Sequence, residues 1–436
     1  MNDRKLRMMG VAASLLCIAA TLCAQDITGS WQGTIDSGSK LRVILQIEKT
    51  ADGTFKGTAY SIDQSPNPTP VTTFSFTNPT LKFTVDPFHA SYEGTLSQDG
   101  KTITGTLTQG KANLLVFERA TKETAWKIDS SPHTVQMIPV EKDVKLEVLD
   151  WGGTGRPLVL LTGLGDNAHV FDNFAPKLAA TYHVYGITRR GFGVSSAPSF
   201  ITANYTAARL GEDVLAVIDA LHLTRPVVAG HSVAGEELSY IGSQHPENVA
   251  GLIYLDAGYP YAMYDKVNGS FLIDAIDLRE QLNQVLPGRP PAEDQKKLLD
   301  ELISSLQLVE KDAIQQRQDM EHMPPPPPGP RPAAPPVAVA IMTGQQHFTT
   351  ISAPALVIFA APHDLGQMMK DKPEIRAAME ANDKRNVERQ ATAFETQVSS
   401  AHVVRIPNAN HYVFRSNEAD VLREMNAFIS TLPAAN

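Results

Sequence analysis

Four unbroken apolar runs constrain this chain more than any other feature: Pro157-Leu158-Val159-Leu160-Leu161-Thr162, Pro226-Val227-Val228-Ala229-Gly230, Gly251-Leu252-Ile253-Tyr254-Leu255 and Pro354-Ala355-Leu356-Val357-Ile358-Phe359. Runs of this length without polar alternation suit strands covered on both faces, as in a parallel sheet. Between the first two, Leu210, Val214, Leu215, Val217, Ile218 and Leu221 recur at helical spacing within Ala207 to Leu223. Strand and helix in alternation specify an α/β fold, which we place from residue 144 to 436.

Residues 25–120 keep a different rhythm. Turn signals such as Asp36-Ser37-Gly38, Ala51-Asp52-Gly53, Asn78-Pro79, Gln98-Asp99-Gly100 and Gln109-Gly110 separate alternating segments such as Leu41 to Ile47 and Lys101 to Leu107. About eight short strands with tight connections predict an up-and-down antiparallel barrel or a curled sheet. A Gly-Thr pair recurs at Gly33, Gly57, Gly94 and Gly105, and glycine inside a strand marks a bend or bulge. The opening Gly29-Ser30-Trp31-Gln32-Gly33 before a strand resembles the start of a lipocalin-like (calycin-type) module. That resemblance implies ligand capture; a plain structural appendage is the alternative. Residues 121–143 read as a linker that leads into the first α/β strands.

An insertion from about 258 to 349 interrupts the α/β rhythm. Leu298, Leu299, Leu302, Ile303 and Leu306 mark an amphipathic helix within it. Nine of the 30 prolines follow between Pro324 and Pro336. Proline fixes φ and removes a donor, so this is an extended loop. A motif for proline-reading partners is the sharper reading, and an exposed loop on a lid is the plainer one.

At the N-terminus, Arg4, Lys5 and Arg7 precede an apolar run from Met8 to Leu22 and then Cys23-Ala24. This is the pattern of a secretory signal peptide cut near Ala24. A lipoprotein site at Cys23 and an uncut anchor are the rival readings. Cys17 and Cys23 are the only cysteines, so the body of the chain has no disulfide framework, no Cys-ligated zinc and no Cys nucleophile. The net charge of −9 at pH 7 leaves no basic surplus for phosphates, so nucleic acid is not expected as a partner. Beyond the signal, no apolar stretch is long enough to cross a bilayer. No nucleotide or metal motif is visible, and no cofactor is expected.

The chemistry centres on Gly230-His231-Ser232-Val233-Ala234-Gly235, between an apolar run and the expected helix Gly235 to Ser243. A serine on a sharp strand-to-helix turn exposes its hydroxyl at the carboxyl edge of the sheet, beside a helix N-terminus that favours negative charge. Here the chain resembles the α/β-hydrolase family from roughly Val144 onward, with Ala234 where the family's second glycine stands. The resemblance implies an acid and then a histidine after the serine. Asp364, in Ala361-Pro362-His363-Asp364, is the favoured acid, and Asp256, after Leu252 to Leu255, is the alternative. His411, in Pro407-Asn408-Ala409-Asn410-His411, is the base. His363 is read as a neighbour pointing elsewhere.

The same resemblance implies an oxyanion hole from the backbone N–H groups of Leu164, in Thr162-Gly163-Leu164, and Val233. It also matches Thr188-Arg189-Arg190-Gly191-Phe192-Gly193-Val194-Ser195 to a loop-shaping turn. The expectation is therefore a Ser232–His411–Asp364 hydrolase of esters or related acyl bonds, acting on a small, hydrophobic acyl substrate. Amidase, lactonase, acyltransferase and perhydrolase chemistry remain open. An aspartate at 232 would have pointed to epoxide or haloalkane chemistry. The alternative is a binding protein in which the β module captures an apolar ligand on an inactive scaffold.

Overall fold

The computed structural model describes residues 26–36, 40–64, 66–129, 131–286, 294–321, 333–366 and 370–433. The expected signal segment and the proline run from Pro324 to Pro332 lie outside the described residues.

The N-terminal module is a single antiparallel sheet of nine strands: β1 Gly29–Asp36, β2 Lys40–Lys49, β3 Phe55–Ser61, β4 Thr69–Pro70, β5 Thr73–Thr77, β6 Thr80–Val85, β7 Ala90–Leu96, β8 Thr102–Gln109 and β9 Lys111–Arg119. Their order is β4-β3-β2-β1-β9-β8-β7-β6-β5. The sheet curls until its outer ends face each other. Val71 N–H bonds Gly57 O and Thr72 N–H bonds Thr84 O, so the chain itself spans the gap. Phe55 packs on Phe74 and Phe76 across the same seam, with centroids 6.2 Å apart in each pair.

The recurring glycines have a steric cause. Gly94 and Gly105 are register partners, and a Cβ on either would fall within 2.5–2.7 Å of the Tyr92 ring or hydroxyl. Tyr92 crosses the interior there and donates to Ile103 O and Leu115 O at 3.2 and 3.1 Å. Trp31, Leu45, Ile47, Leu81, Phe83, Ile103 and Phe117 fill the rest of that interior.

The second module is built on an eight-stranded sheet: β10 Thr134–Glu141, β11 Val144–Gly152, β12 Pro157–Leu161, β13 His183–Ile187, β14 Val227–His231, β15 Gly251–Leu255, β16 Ala355–Ala360 and β17 Ala401–Ile406. The order is β10-β11-β13-β12-β14-β15-β16-β17. The first two pairings are antiparallel and the rest parallel. The sheet thus starts at Thr134, inside the segment read as linker, because Val135 to Pro139 pair with Lys145 to Leu149.

Nine helices are described: α1 Ala175–Leu178, α2 Ala207–Ala220, α3 Gly235–Gln244, α4 Phe271–Val285, α5 Gln295–Glu321, α6 Pro336–Met342, α7 Pro373–Gln397, α8 Val413–Ser416 and α9 Glu418–Thr431. One apolar cluster packs α2, α3 and α7 on one face of the sheet. A second packs α1, α8 and α9 on the other. Strand order reverses at β12, which lies between β13 and β14, and such a reversal opens a crevice at the carboxyl ends of the strands. Helices α4, α5 and α6 all lie between β15 and β16.

Candidate active site

Ser232 directly follows β14 and takes a left-handed backbone, φ +55°. A non-glycine residue held there stores strain, as a sharp nucleophile turn requires. The flanking residues explain how the turn fits. A Cβ on Gly230 would sit 2.9 Å from the Ala234 methyl, and one on Gly235 would sit 2.0 Å from Ala257 O. Alanine at 234 is therefore compatible with the turn as long as 230 stays glycine.

The Ser232 Oγ lies 2.9 Å from His411 Nε2. His411 Nδ1 lies 2.6 Å from Asp256 Oδ2. With Nδ1 donating to the carboxylate, Nε2 is left to accept the serine proton. The acid in contact is thus the alternative, Asp256, and not Asp364. Asp364 is exposed, and its carboxylate turns back to accept from Gly366 N–H at 2.8 Å. Its own N–H donates to Ala409 O, which brings its backbone, but not its carboxylate, to the His411 loop. Asp256 is fully buried and also sits at positive φ, +48°. Its Oδ1 accepts from Ala360 N–H at 3.0 Å, which aims Oδ2 at His411.

His363 does not point elsewhere. Its Nε2 lies 2.7 Å from the same Asp256 Oδ2, and its Nδ1 lies 2.9 Å from Asp383 Oδ1. Tyr259 adds a third donor to that oxygen at 3.2 Å. Burial alone would lower the His363 pKa, but the two carboxylates outweigh it and raise it to about 10. Burial alone would raise Asp256, but the hydrogen bonds and charges of His363 and His411 hold it down at about 2. The site therefore contains a fixed imidazolium behind an ionised acid. His363 was misread, and Asp383 and Tyr259 were not singled out, because their contacts join the ends of β15 and β16 to α7, elements distant in sequence. The adjacency of His363 to a strand end was the one available signal.

His231, next to Ser232, is buried and donates from Nε2 to His411 O at 2.9 Å. Burial first, and then the nearby His411, lower its pKa to about 3, so it stays neutral. Tyr412 donates to Asp166 at 3.1 Å and so ties the His411 loop to the loop after β12.

Leu164 lies in the loop after β12, and Val233 follows Ser232 in the turn after the neighbouring β14. The Arg189 guanidinium is paired with Glu237 at 2.6 and 2.8 Å. It also donates to Thr162 O at 2.8 Å and Gly163 O at 3.3 Å. A trans peptide is planar, so the Leu164 N–H points opposite to the Gly163 carbonyl and away from Arg189. The Thr188–Ser195 turn shapes its loop as expected. Ser195 Oγ donates to Thr188 O at 2.7 Å, and Arg190 is fully buried on Asp213 at 2.6 Å.

Comparison with known proteins agrees with this architecture. Residues 156–291 match the family described as alpha/beta hydrolase fold, and this part of the chain has that fold. The chain is 33% identical over 119 residues to a fluoroacetate dehalogenase from Burkholderia sp, covering 27% of this chain and 39% of that protein. It is 29% identical over 116 residues to a putative non-heme haloperoxidase of Mycobacterium phage D29, covering 26% of this chain and 41% of that protein. The matches thus span well under half the length of these relatives. Among solved structures, E-2-(acetamidomethylene)succinate hydrolase superposes with a TM-score of 0.42 at 19% identity, covering 68% of this chain and 99% of that one.

Proposed function

We propose that this protein is an exported serine hydrolase that cleaves an ester or related acyl bond through an acyl-enzyme. The observation that carries the reading is the Ser232–His411–Asp256 relay, with steps of 2.9 and 2.6 Å.

In this reading Ser232 Oγ attacks the acyl carbon while His411 Nε2 takes its proton. Asp256 stabilises the imidazolium that forms. The Leu164 and Val233 N–H groups receive the oxyanion, a contribution of a few kcal/mol. The leaving alcohol then takes the proton from His411. Water, deprotonated by His411, attacks the acyl carbon and releases the acid and Ser232. No cofactor enters these steps. The relatives' names point to dehalogenation and haloperoxidation, whereas a serine at position 232 favours acyl transfer to water.

His411 keeps 40% of its side chain exposed, so a substrate reaches the base directly. The insertion after Asp256 borders a cavity of about 920 Å³ lined by Tyr259, Phe271, Gln315, Asp383 and Arg389, among others. It acts as a lid that sets the acyl and alcohol preference. We read the β module as an appendage that positions the enzyme, because its interior is already occupied by its own side chains.

The test is turnover of p-nitrophenyl acyl esters together with fluorophosphonate labelling. Ser232→Ala should lose at least about a thousandfold in turnover, and labelling should map to Ser232 and vanish in His411→Ala. Full turnover by Ser232→Ala would overturn the reading.

A further inference from the structure

A second group of buried ionisable side chains lies away from the relay, where the connector between the two modules meets the α/β sheet. His133 and Asp129 come from the connector. Glu147 lies on β11. His169 and Asp172 come from the turn Ala168–Phe171 and the residue after it. The side chains of His133, His169 and Glu147 are 3%, 4% and 3% exposed.

The pairings in this group are incomplete as hydrogen bonds. His169 Nδ1 meets Asp172 Oδ2 at 2.9 Å, which leaves Nε2 outward, 3.7 Å from Glu147 Oε1. His133 Nε2 stands 3.5 Å from Asp129 Oδ2. His133 Nδ1 is 3.0 Å from Asp172 Oδ1 but has no aligned hydrogen-bond partner. The buried imidazole of His133 thus lies between two carboxylates with no aligned hydrogen bond from Nδ1. Separations of 3.5 and 3.7 Å are too long for hydrogen bonds. They match the spacing of two ligands on one metal, roughly 3.4 Å for bonds of about 2.1 Å in a tetrahedron. One donor atom from each of Asp129, His133 and His169 lies within 4.8 Å of the others.

We propose that Asp129, His133 and His169 hold a divalent cation of the zinc type.

The surrounding groups are those a metal site needs. Asp172 orients His169 through its far nitrogen, the usual partner of a metal-bound imidazole. Thr188 Oγ1 donates to Glu147 Oε2 at 2.6 Å and fixes that carboxylate as a neighbouring negative charge. Three carboxylates face two imidazoles, so a divalent charge offsets the excess. Two imidazoles with carboxylates and no thiolate favour zinc over magnesium or calcium. The bound ion would clamp the connector onto the α/β module.

The test is zinc uptake by chelator-stripped full-length protein, measured by elemental analysis after dialysis and by thermal shift. One zinc per chain is expected, with a rise in Tm. Asp129→Asn and His169→Gln should each lose at least about tenfold in affinity and most of the Tm rise. Asp129 is 38% exposed, so its variant carries the test if His169→Gln fails to fold. His363→Gln controls for the other His–Asp group, around Asp256, and should keep the zinc. No stoichiometric uptake, unchanged uptake in Asp129→Asn, or loss only in His363→Gln would each overturn the proposal.

Discussion

Oδ2 of Asp256 receives three donors, from His411, His363 and Tyr259. Removing the carboxylate charge should therefore cost far more than losing one hydrogen bond. Asp256→Asn is expected to reduce kcat about ten-thousandfold, whereas Asp364→Asn should stay within about twofold; parallel kinetics on one ester decide between them. The imidazolium of His363 offsets part of the Asp256 charge felt by His411. In His363→Gln, Asp256 Oδ2 loses a charged donor, and kcat/KM should fall by about tenfold. An unchanged kcat/KM in His363→Gln would remove His363 from the relay. Sequence alone pointed to Ser232, His411 and two candidate acids, of which it favoured Asp364, whereas Asp256 is the one 2.6 Å from His411. Both aspartates follow parallel strands, β15 and β16, that are neighbours in the sheet, and only the direction of each carboxylate separates them.

At the scale of elements, the apolar runs were legible because strands buried on both faces leave no other pattern. Helix α2 was legible for a similar reason, having one periodic apolar face, and α3 from the serine turn that precedes it. Helix α7 was not, because it buries only Val387, Gln390, Ala391, Ala393 and Phe394 near one end. The insertion helices α4 and α5 meet at an acidic contact, where Tyr264 donates to Asp274 at 2.6 Å and Asp312 faces Asp274. Burial first, and then Asp274, raise the Asp312 pKa to about 6. The folded state then holds a proton that the unfolded chain releases near 3.8. This contribution to stability is full below about pH 4 and lost as pH rises through about 6. Asp312→Asn should therefore raise Tm at pH 8 relative to wild type and have little effect at pH 4; melting curves at the two pH values test this.

In the whole molecule, the modules meet through few polar contacts. Arg415, two turns past the sheet, donates to Asp63 O in the β module at 2.5 Å and to Val170 O in the α/β module at 3.0 Å. Arg415→Ala should cost about 1–3 kcal/mol and speed proteolysis within 121–128, read by limited digestion and peptide mapping. The two-module division was legible from the change in rhythm. Their junction was not, because it rests on backbone carbonyls that no side-chain pattern reveals. Among the described residues, no helix is long and apolar enough to cross a membrane. The pairing of Asp256 with His363 has a further consequence. The two residues flank the insertion at its neck, one just after β15 and the other just after β16, so the helices between them form a loop tied off at its base. Doubling such a loop adds only about 0.6 kcal/mol of closure cost. The segment can thus lengthen or shrink at little cost while the knot beneath it keeps Ser232, His411 and Asp256 in register, which makes it a replaceable cassette on a fixed mount.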